Sequence, residues 1–249
     1  MTEIKTKQNS RVAVISGGSG YLGSAIVRKL MDEDFVVVVI TRSSEKKQKN
    51  SNDKLVHYFV GDITDEKSVI KIAEKVQSKL GGVSLVVHCA SAKLIRKPIL
   101  SLDSKDFEEQ FHVNSLGAFN LFKVFSSVTL PNGVFVGITS RAIENGGKHS
   151  ISGSYIPSKY ALKGLLRVLA VELSQKSIRV YGVAPAFMIG GLNRDIPEKA
   201  MEFIKKKSLK DEITDPEEVA GIILDIVNNK AKYENGKSIT VPGGKITDL

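Results

Sequence analysis

The sequence is poor in cysteine and histidine and has no long apolar run. Its 249 residues include one cysteine, Cys89, and four histidines, so an intrachain disulfide is excluded and no Cys/His metal spacing occurs. The longest apolar runs, such as FVVVVI at 35–40, are far shorter than the ~20 residues of a membrane-spanning helix. The first ten residues are polar, without the apolar segment of a signal peptide. We therefore expect a cytoplasmic protein with a disordered tail over 1–10, no metal site and no membrane segment.

Positive charge is in excess. The net charge is +9, and lysines cluster in EKKQK at 45–49 and IKKKSLK at 204–210. Such runs are typical of a solvated surface that attracts anionic cofactors. An acidic partner, such as a carrier protein, is the alternative interpretation. A nucleic-acid partner is not expected, because no recognition motif accompanies the charge.

Strand-like and helix-like segments alternate along the chain. The strand-like segments are 11–16, 35–41, 55–62, 83–90, 133–139, 177–185 and 238–241. The helix-like segments are 21–33, 64–80 with Thr64 as N-cap, 104–128, 154–175 and one beginning at 215–220. This order predicts an α/β fold: a doubly wound parallel sheet (Rossmann fold) of about seven strands in three α/β/α layers. One domain over 11–249 is expected, with 186–213 as a candidate lid near the carboxyl ends of the strands.

The stretch ISGGSGYLG at 15–23 follows the first strand and opens the first helix. Its glycines fit two registers, with Gly20 and Gly23 preceded by either Gly17 or Gly18. Glycines in this context allow a tight turn and let backbone N–H groups approach a pyrophosphate at the helix N-terminus. The stretch therefore predicts a dinucleotide site, and its predicted cofactor-binding residues are Gly17, Ser19, Gly20, Tyr21, Leu22 and Gly23.

The end of the second strand indicates which dinucleotide is bound. An NAD site usually presents an acidic residue there to the ribose 2′-hydroxyl. This chain has Thr41, Arg42, Ser43 and Ser44 instead. A guanidinium flanked by hydroxyls suits a 2′-phosphate, so we predict NADP(H), bound through Thr41, Arg42 and Ser43.

Four polar residues predict the chemistry. Tyr155 and Lys159 are four residues apart in a predicted helix, which places them on one face. A nearby ammonium favours the phenolate and moves the phenol pKa toward the working range. Ser140 ends the fifth strand, and Asn114 lies in HVNSLG on the preceding helix.

Taken together, these features resemble the short-chain dehydrogenase/reductase family. The layout is close to that of the single-domain 3-oxoacyl-carrier-protein reductases, and the resemblance covers 10–246. Its marks are the glycine loop, GDITD at 61–65, HCAS at 88–91, VNSLG at 113–117, ITS at 138–140, YIPSK at 155–159, VAPAF at 183–187 and TVPGG at 240–244.

The resemblance implies a role for each of the four polar residues. Tyr155 would protonate the substrate carbonyl while NADPH delivers hydride, and Lys159 would lower the tyrosine pKa and hold the nicotinamide ribose. Ser140 would bind the carbonyl oxygen, and Asn114 would support a water relay to Lys159. The implied reaction is reduction of a small-molecule or thioester carbonyl, with a 3-oxoacyl group on acyl carrier protein as a plausible substrate.

The resemblance also implies further contacts. Asp62 and Ile63 would meet the adenine; Cys89, Ala90 and Ser91 would pass the ribose; and Pro185 to Met188 would pass the nicotinamide. Cys89 is then a packing residue rather than a nucleophile. A homodimer or homotetramer is expected, usually through the two long helices and the last strand. Lys176 lies where related reductases carry a basic residue that docks the carrier protein.

The chain departs from the family pattern at a few positions. Tyr21 stands where the single-domain branch usually has a glycine. The glycine register that begins at Gly17 is that of the sugar-nucleotide epimerase branch. Ala186 replaces a glycine, and Gly190 stands where a threonine often bonds the carboxamide. The interval from Ser140 to Tyr155 is about two residues longer than usual. A sugar or polyketide ketoreductase and a non-catalytic NADP-binding sensor or subunit therefore stay open as alternatives.

Overall fold

Strands and helices alternate from the start of the described chain to its end. The computed structural model describes residues 11–43, 54–144, 153–207, 213–229, 232–242 and 246–249. Its strands are β1 (Val12–Ser16), β2 (Val36–Thr41), β3 (Val56–Val60), β4 (Val83–His88), β5 (Thr129–Ile138), β6 (Arg179–Pro185), β7 (Lys237–Val241) and β8 (Ile246–Asp248). Its α-helices are α1 (Tyr21–Met31), α2 (Glu66–Leu80), α3 (Ser104–Phe111), α4 (Gly117–Phe125), α5 (Arg141–Glu144), α6 (Tyr155–Glu172), α7 (Glu198–Lys207) and α8 (Pro216–Asn228).

The strands form one sheet in the order β3-β2-β1-β4-β5-β6-β7-β8. The first seven are parallel, and β8 adds antiparallel to β7. The predicted doubly wound sheet is confirmed, with eight strands rather than about seven, because a three-residue strand is too short to show a periodic pattern. The strand order reverses between β1 and β4, where doubly wound sheets bind ligands at their carboxyl ends.

The sheet is buried on both faces, which explains its continuous apolar runs. All six residues of β2 are buried, and their side chains alternate between the two sides. One core contains Val36 and Val38 with residues of α2, α4 and α6. The other contains Val37 and Val39 with residues of α1 and α8. Three layers result, and each fully buried valine contributes roughly 1.5–3 kcal/mol to folding.

Helix α2 starts one residue later than the N-cap prediction requires. Asp65 is the N-cap, and its carboxylate accepts a hydrogen bond from Lys67 N at 3.0 Å. The prediction of Thr64 as the cap is wrong, because its hydroxyl donates to Asp62 Oδ1 at 2.8 Å instead. A carboxylate and a hydroxyl are both good caps, so the spacing alone did not distinguish the adjacent residues.

The long helical stretch predicted over roughly 104–128 is confirmed from Ser104 to Phe125, but it is not a regular α-helix throughout. Helices α3 and α4 are joined by a π-helical turn, His112–Leu116. Such turns insert an extra residue into the hydrogen-bond ladder and are frequent at functional sites. Asn114 lies in this turn and is buried, so the irregularity occurs at a predicted site residue.

The segment predicted as a lid leaves the sheet after β6 and returns before α8. Its ends meet in a single β-bridge between Phe187 and Ile213, and Thr214 N donates to Phe187 O at 2.8 Å. Between them lie a 3₁₀ turn, Gly191–Asn193, and α7. Its role as a lid and the single-domain boundary remain predictions. No helix of the described ranges is long and apolar enough to cross a membrane.

Candidate active site

The carboxyl ends of β1 and β4 are joined by a buried pair of polar side chains. Ser16 Oγ lies 3.0 Å from His88 Nδ1, and both residues are buried. Burial, with a smaller effect of Lys159, lowers the pKa of His88 to about 3, so its imidazole is neutral at physiological pH. No role for this pair was predicted from the sequence. The sequence feature that could have revealed the pair is a polar residue at the end of each of two apolar strands.

The glycine loop has the shape that a pyrophosphate site requires. Gly17 has a φ of +73°, and a Cβ there would lie 2.7 Å from the Ala90 backbone. A Cβ on Gly23 would lie 2.2 Å from Gly17 O, so neither position has room for a side chain. Gly20 N donates to Gly17 O at 2.9 Å and closes the turn. Gly17 needs glycine for its positive φ, and a Cβ on Gly18 would lie 2.9 Å from Val39 Cγ2, so each of the two registers begins at a glycine that the loop requires.

The N-terminus of α1 carries no group that would compete with a bound anion. Its N-cap, Gly20, has no side chain, and the first turn has no acidic residue. The helix starts at Tyr21, which is 45% exposed, whereas Leu22 points into the core. Ser19 is half-buried beside the turn. Unpaired N–H groups and the helix dipole favour a phosphate here, so the residues present fit a dinucleotide.

The predicted 2′-phosphate residues follow β2. Thr41 is buried and its hydroxyl donates to Ser43 O at 3.4 Å, while Arg42 is exposed at the edge of the site. This turn leaves the Arg42 side chain facing solvent at the end of the strand next to the glycine loop. Ser44, the residue that follows the predicted group, lies outside the described residues.

The remaining predicted cofactor residues follow three other strands. After β3, Asp62 is exposed and Ile63 is buried, with Ile63 O accepting from Asn120 Nδ2 at 3.0 Å. After β4, Ala90 and Ser91 are half-buried, and β6 ends at buried Pro185 with half-buried Met188 beyond it. The structure therefore brings these segments to one edge of the sheet.

Cys89 also follows β4 and is half-buried. Burial raises the pKa of its thiol to about 12, although the charge on Lys159 opposes this. The thiol stays protonated at physiological pH and is a poor nucleophile. This geometry agrees with a packing role.

Ser140, Tyr155 and Lys159 meet between β5 and α6. A hydrogen bond joins the Ser140 hydroxyl and the Tyr155 phenol. Lys159 Nζ lies 5.7 Å from the centre of the Tyr155 ring and donates to Ile138 O at 2.7 Å. Lys159 is 3% exposed and Ser140 is 9% exposed. The i, i+4 spacing does place the tyrosine and lysine on one side of α6, facing the end of β5.

Burial dominates the proton affinities of this group. It raises the pKa of Tyr155, and the hydrogen bond with Ser140 opposes the rise. It lowers the pKa of Lys159 from 10.5 to about 8. The phenol therefore keeps its proton near neutral pH, as a proton donor must. Lys159 acts on the backbone of β5 here, so the expected lowering of the Tyr155 pKa by Lys159 stays a prediction.

Asn114 is the centre of a buried hydrogen-bond network. Its Nδ2 donates to Gln110 Oε1 and to Ser158 Oγ, both at 2.9 Å. Its Oδ1 accepts from Ala92 N at 3.1 Å. The side chain thus connects the loop after β4 with α3 and α6. The water relay to Lys159 stays a prediction, whereas Gln110 and Ser158 are site residues that the sequence analysis missed.

A part-buried ion pair holds the segment between Ser140 and the longer loop. Lys163 Nζ lies 2.8 Å from Glu144 Oε2, with side chains 19% and 10% exposed. Tyr160 also donates from its hydroxyl to Ile143 O at 2.8 Å. Both contacts fix α5 against α6. The inserted loop itself, at 145–152, lies outside the described residues.

A doubly wound sheet with this glycine loop and a Ser–Tyr–Lys group defines a class of oxidoreductases that use a nicotinamide dinucleotide. A family model described as enoyl-(acyl carrier protein) reductase matches residues 19–245. The chain therefore belongs to this family, within the short-chain dehydrogenases/reductases.

Named relatives and solved structures are similar over nearly the whole chain. A 3-oxoacyl-[acyl-carrier-protein] reductase of Thermotoga maritima is 27% identical, over 95% of this chain and 98% of that protein. An L-2,3-butanediol dehydrogenase of Corynebacterium glutamicum is 26% identical, over 95% and 99%. A metagenomic blue fluorescent protein solved in complex with NADPH has a TM-score of 0.82 at 24% identity, over 96% and 99%. The structural likeness supports the fold alone.

Proposed function

We propose that the protein is an NADPH-dependent carbonyl reductase, with Tyr155 as its general acid. The observation that carries this proposal is the hydrogen-bonded Ser140–Tyr155 pair beside buried Lys159. The group lies at the same edge of the sheet as the glycine loop, where a dinucleotide would be held. A non-catalytic sensor would not need a polar group of this composition at that position.

Each polar residue of the site has a separate role in the proposed carbonyl reduction. When bound, NADPH supplies a hydride to the carbonyl carbon. The Ser140 hydroxyl binds the carbonyl oxygen, and Tyr155 transfers its phenolic proton to that oxygen, so the product is an alcohol. Lys159 provides the positive charge that stabilises the phenolate left on Tyr155. In this proposal Tyr155 regains its proton through the water relay to Lys159 that Asn114 would support.

The preference for NADPH over NADH is proposed to depend on Arg42. Its exposed guanidinium follows β2, where a 2′-phosphate would lie. Arg42→Ala should weaken NADPH binding by about tenfold or more and leave NADH binding nearly unchanged. Arg28→Ala is the matched control, since Arg28 is an exposed arginine paired with Glu217 on the other side of α1. Equal losses for both cofactors in Arg42→Ala would contradict the proposal.

The proposed substrate is a 3-oxoacyl thioester. A panel of ketones, hydroxy-ketones and acetoacetyl thioesters with NADPH tests this, with crotonyl thioester added to detect enoyl reduction. We expect the highest kcat/KM for the acetoacetyl thioester. A higher value for a sugar-like or polyketide ketone would transfer the assignment to that alternative, and reduction of crotonyl thioester alone would contradict carbonyl reduction.

Acyl carrier protein is proposed as the carrier of the substrate. Lys176 is exposed in the 3₁₀ turn that follows α6, and the net charge of +9 favours an acidic partner. Lys176→Glu should raise KM for the carrier-bound substrate while leaving KM for a small thioester unchanged. Lys79→Glu is the control, because Lys79 is an exposed lysine at the end of α2. A KM for the carrier-bound substrate that is unchanged from wild type in Lys176→Glu would contradict docking there.

A homodimer through α4 and α6 is proposed as the assembly. Tyr160, Val168 and Val171 lie on one stripe of α6 and are 45%, 54% and 71% exposed. Apolar stripes of this kind mark interaction surfaces, and a second copy is the proposed occupant. Val168→Asp should lower the mass measured by light scattering to that of a monomer. Val60→Asp, at an equally exposed valine on β3, should not, and an unchanged mass in Val168→Asp would contradict the interface.

We also propose that 186–213 closes over the substrate and that the protein acts in the cytoplasm. The first proposal is supported by the meeting of the segment's ends at Phe187 and Ile213. No described side chain of α7 is buried, so this helix is held weakly. The second is supported by the single protonated cysteine.

A further inference from the structure

Two departures from the family pattern meet in space. A Cβ on Gly190 would lie 3.0 Å from Tyr21 Cζ, and a Cβ on Gly191 would lie 3.2 Å from Tyr21 Cβ. At 3.0–3.4 Å from an added Cβ, the neighbouring atom has to give way by a few tenths of an ångström. The tyrosine ring therefore occupies the space that a side chain at 190 would need, and the two glycines let the backbone pass directly over the ring.

The backbone at these glycines is in conformations that favour glycine. The φ angles of Gly190 and Gly191 are +117° and +57°. Gly190 is also the N-cap of the 3₁₀ turn at 191–193, and Asn193 N donates to Gly190 O at 2.9 Å. The turn thus begins where Tyr21 touches the chain, so the position of the ring bears on the position of the turn.

The same turn is held from its other side by the loop after β4. Arg96 Nη2 donates to Asn193 Oδ1 at 2.6 Å, and Asn193 Nδ2 donates to Met188 O at 2.8 Å. Lys93 Nζ lies 3.8 Å from Asp195 Oδ2. The segment 188–195 therefore spans the carboxyl edge of the sheet, with Tyr21 at one side and Arg96 at the other.

We propose that Tyr21 is a positioning residue that couples the glycine loop to the segment 188–195. Tyr21 is the first residue of α1, at the end of the helix proposed to receive the pyrophosphate, and its ring supports Gly190 and Gly191. A dinucleotide that orders the glycine loop thereby also orders the segment beside its nicotinamide end. This inference rests on the proposed dinucleotide binding and goes beyond it.

A double-mutant cycle between Tyr21 and Gly190 tests the coupling. The variants are Tyr21→Ala, Gly190→Ala and the double variant, and the readout is the NADPH dissociation constant from calorimetry. Gly190→Ala carries backbone strain in either background, and the cycle removes this common contribution. We expect Gly190→Ala to weaken NADPH by about tenfold beside Tyr21 and by less than about threefold beside Ala. Equal losses in both backgrounds would overturn the inference.

Two further measurements separate positioning from general damage. Adenosine 2′,5′-bisphosphate lacks the nicotinamide half, so Tyr21→Ala should bind it as wild type does while losing NADPH affinity. Tyr21→Phe keeps the ring atoms that face Gly190 and should lose less NADPH affinity than Tyr21→Ala. Weakening of both ligands to the same extent would contradict a role at the nicotinamide end. If wild type binds neither ligand, the proposed function fails rather than the coupling.

Limited trypsinolysis keeps the test independent of Gly190 variants that do not fold. Arg194 lies in the coupled segment and offers a cleavage site beyond the turn. Tyr21→Ala should increase the rate of cleavage after Arg194, identified by mass spectrometry, and NADPH should protect wild type more than this variant. The same cleavage rate and the same protection in both proteins would contradict the coupling.

Discussion

Replacing Lys159 with methionine would remove the most deeply buried charge of the candidate site. Lys159 is 3% exposed, and burial lowers its pKa from 10.5 to about 8. The unfolded chain therefore binds this proton more tightly than the folded protein does. The resulting destabilisation is complete below pH 8 and disappears as the pH rises from about 8 to 10.5.

The size of the effect follows from the two pKa values. Each pKa unit corresponds to about 1.4 kcal/mol. The burial of charged Lys159 therefore destabilises the folded protein by about 3 kcal/mol at pH 7 and by about 1 kcal/mol at pH 9.5. Lys159→Met also leaves Ile138 O without its donor, a cost of about 1–3 kcal/mol that does not depend on pH. The stability of the variant relative to wild type should therefore fall by about 2 kcal/mol between pH 7 and pH 9.5.

Denaturant unfolding of both proteins at the two pH values measures this difference directly. A change of about 2 kcal/mol corresponds to a difference of about 4–8 °C in Tm for a chain of this size. Lys159→Arg is the control, because arginine stays charged at both pH values and should remain less stable than Lys159→Met at each. A stability difference between Lys159→Met and wild type that is the same at both pH values would refute the burial argument.

Three other perturbations test separate parts of the structure. Gly23→Ala places a methyl group 2.2 Å from Gly17 O. The variant should therefore lower NADPH affinity by at least about tenfold. Wild-type affinity in a titration would contradict a pyrophosphate site at the glycine loop. Glu144→Gln leaves Lys163 without its charged partner and should cost about 3 kcal/mol in denaturant unfolding; a loss under about 1 kcal/mol would mean that the pair is not structural. Cys89, whose pKa is about 12, should resist iodoacetamide at pH 8 until the protein is unfolded; rapid alkylation of the folded protein, followed by mass spectrometry, would contradict its protonated state.

The sheet and the strand-end residues were predictable because their signals are local. Apolar runs such as β2 identify strands buried on both faces, and the glycine loop lies between a strand and a helix. Ser140 and the Tyr155–Lys159 pair follow from the same logic, since strand ends and helix spacing place them without knowledge of distant contacts. These predictions needed no information about which segments pack together.

The remaining features depend on contacts between distant segments. The π-helical turn at Asn114 lies within a continuous helical stretch, and Asn114 there bonds to Ala92 and Ser158, which are distant in the sequence. The strand β8 has three residues and is defined by its pairing with β7. Tyr21 and Gly190 each looked like an isolated departure, and only the fold brings them together.

The most direct test of the proposed chemistry compares wild type with Tyr155→Phe for reduction of acetoacetyl thioester by NADPH. Phenylalanine keeps the ring and removes the hydroxyl that bonds Ser140. The variant should bind NADPH with nearly wild-type affinity while kcat falls by about a hundredfold or more. Undiminished reduction by Tyr155→Phe would contradict the assignment of Tyr155 as the proton donor.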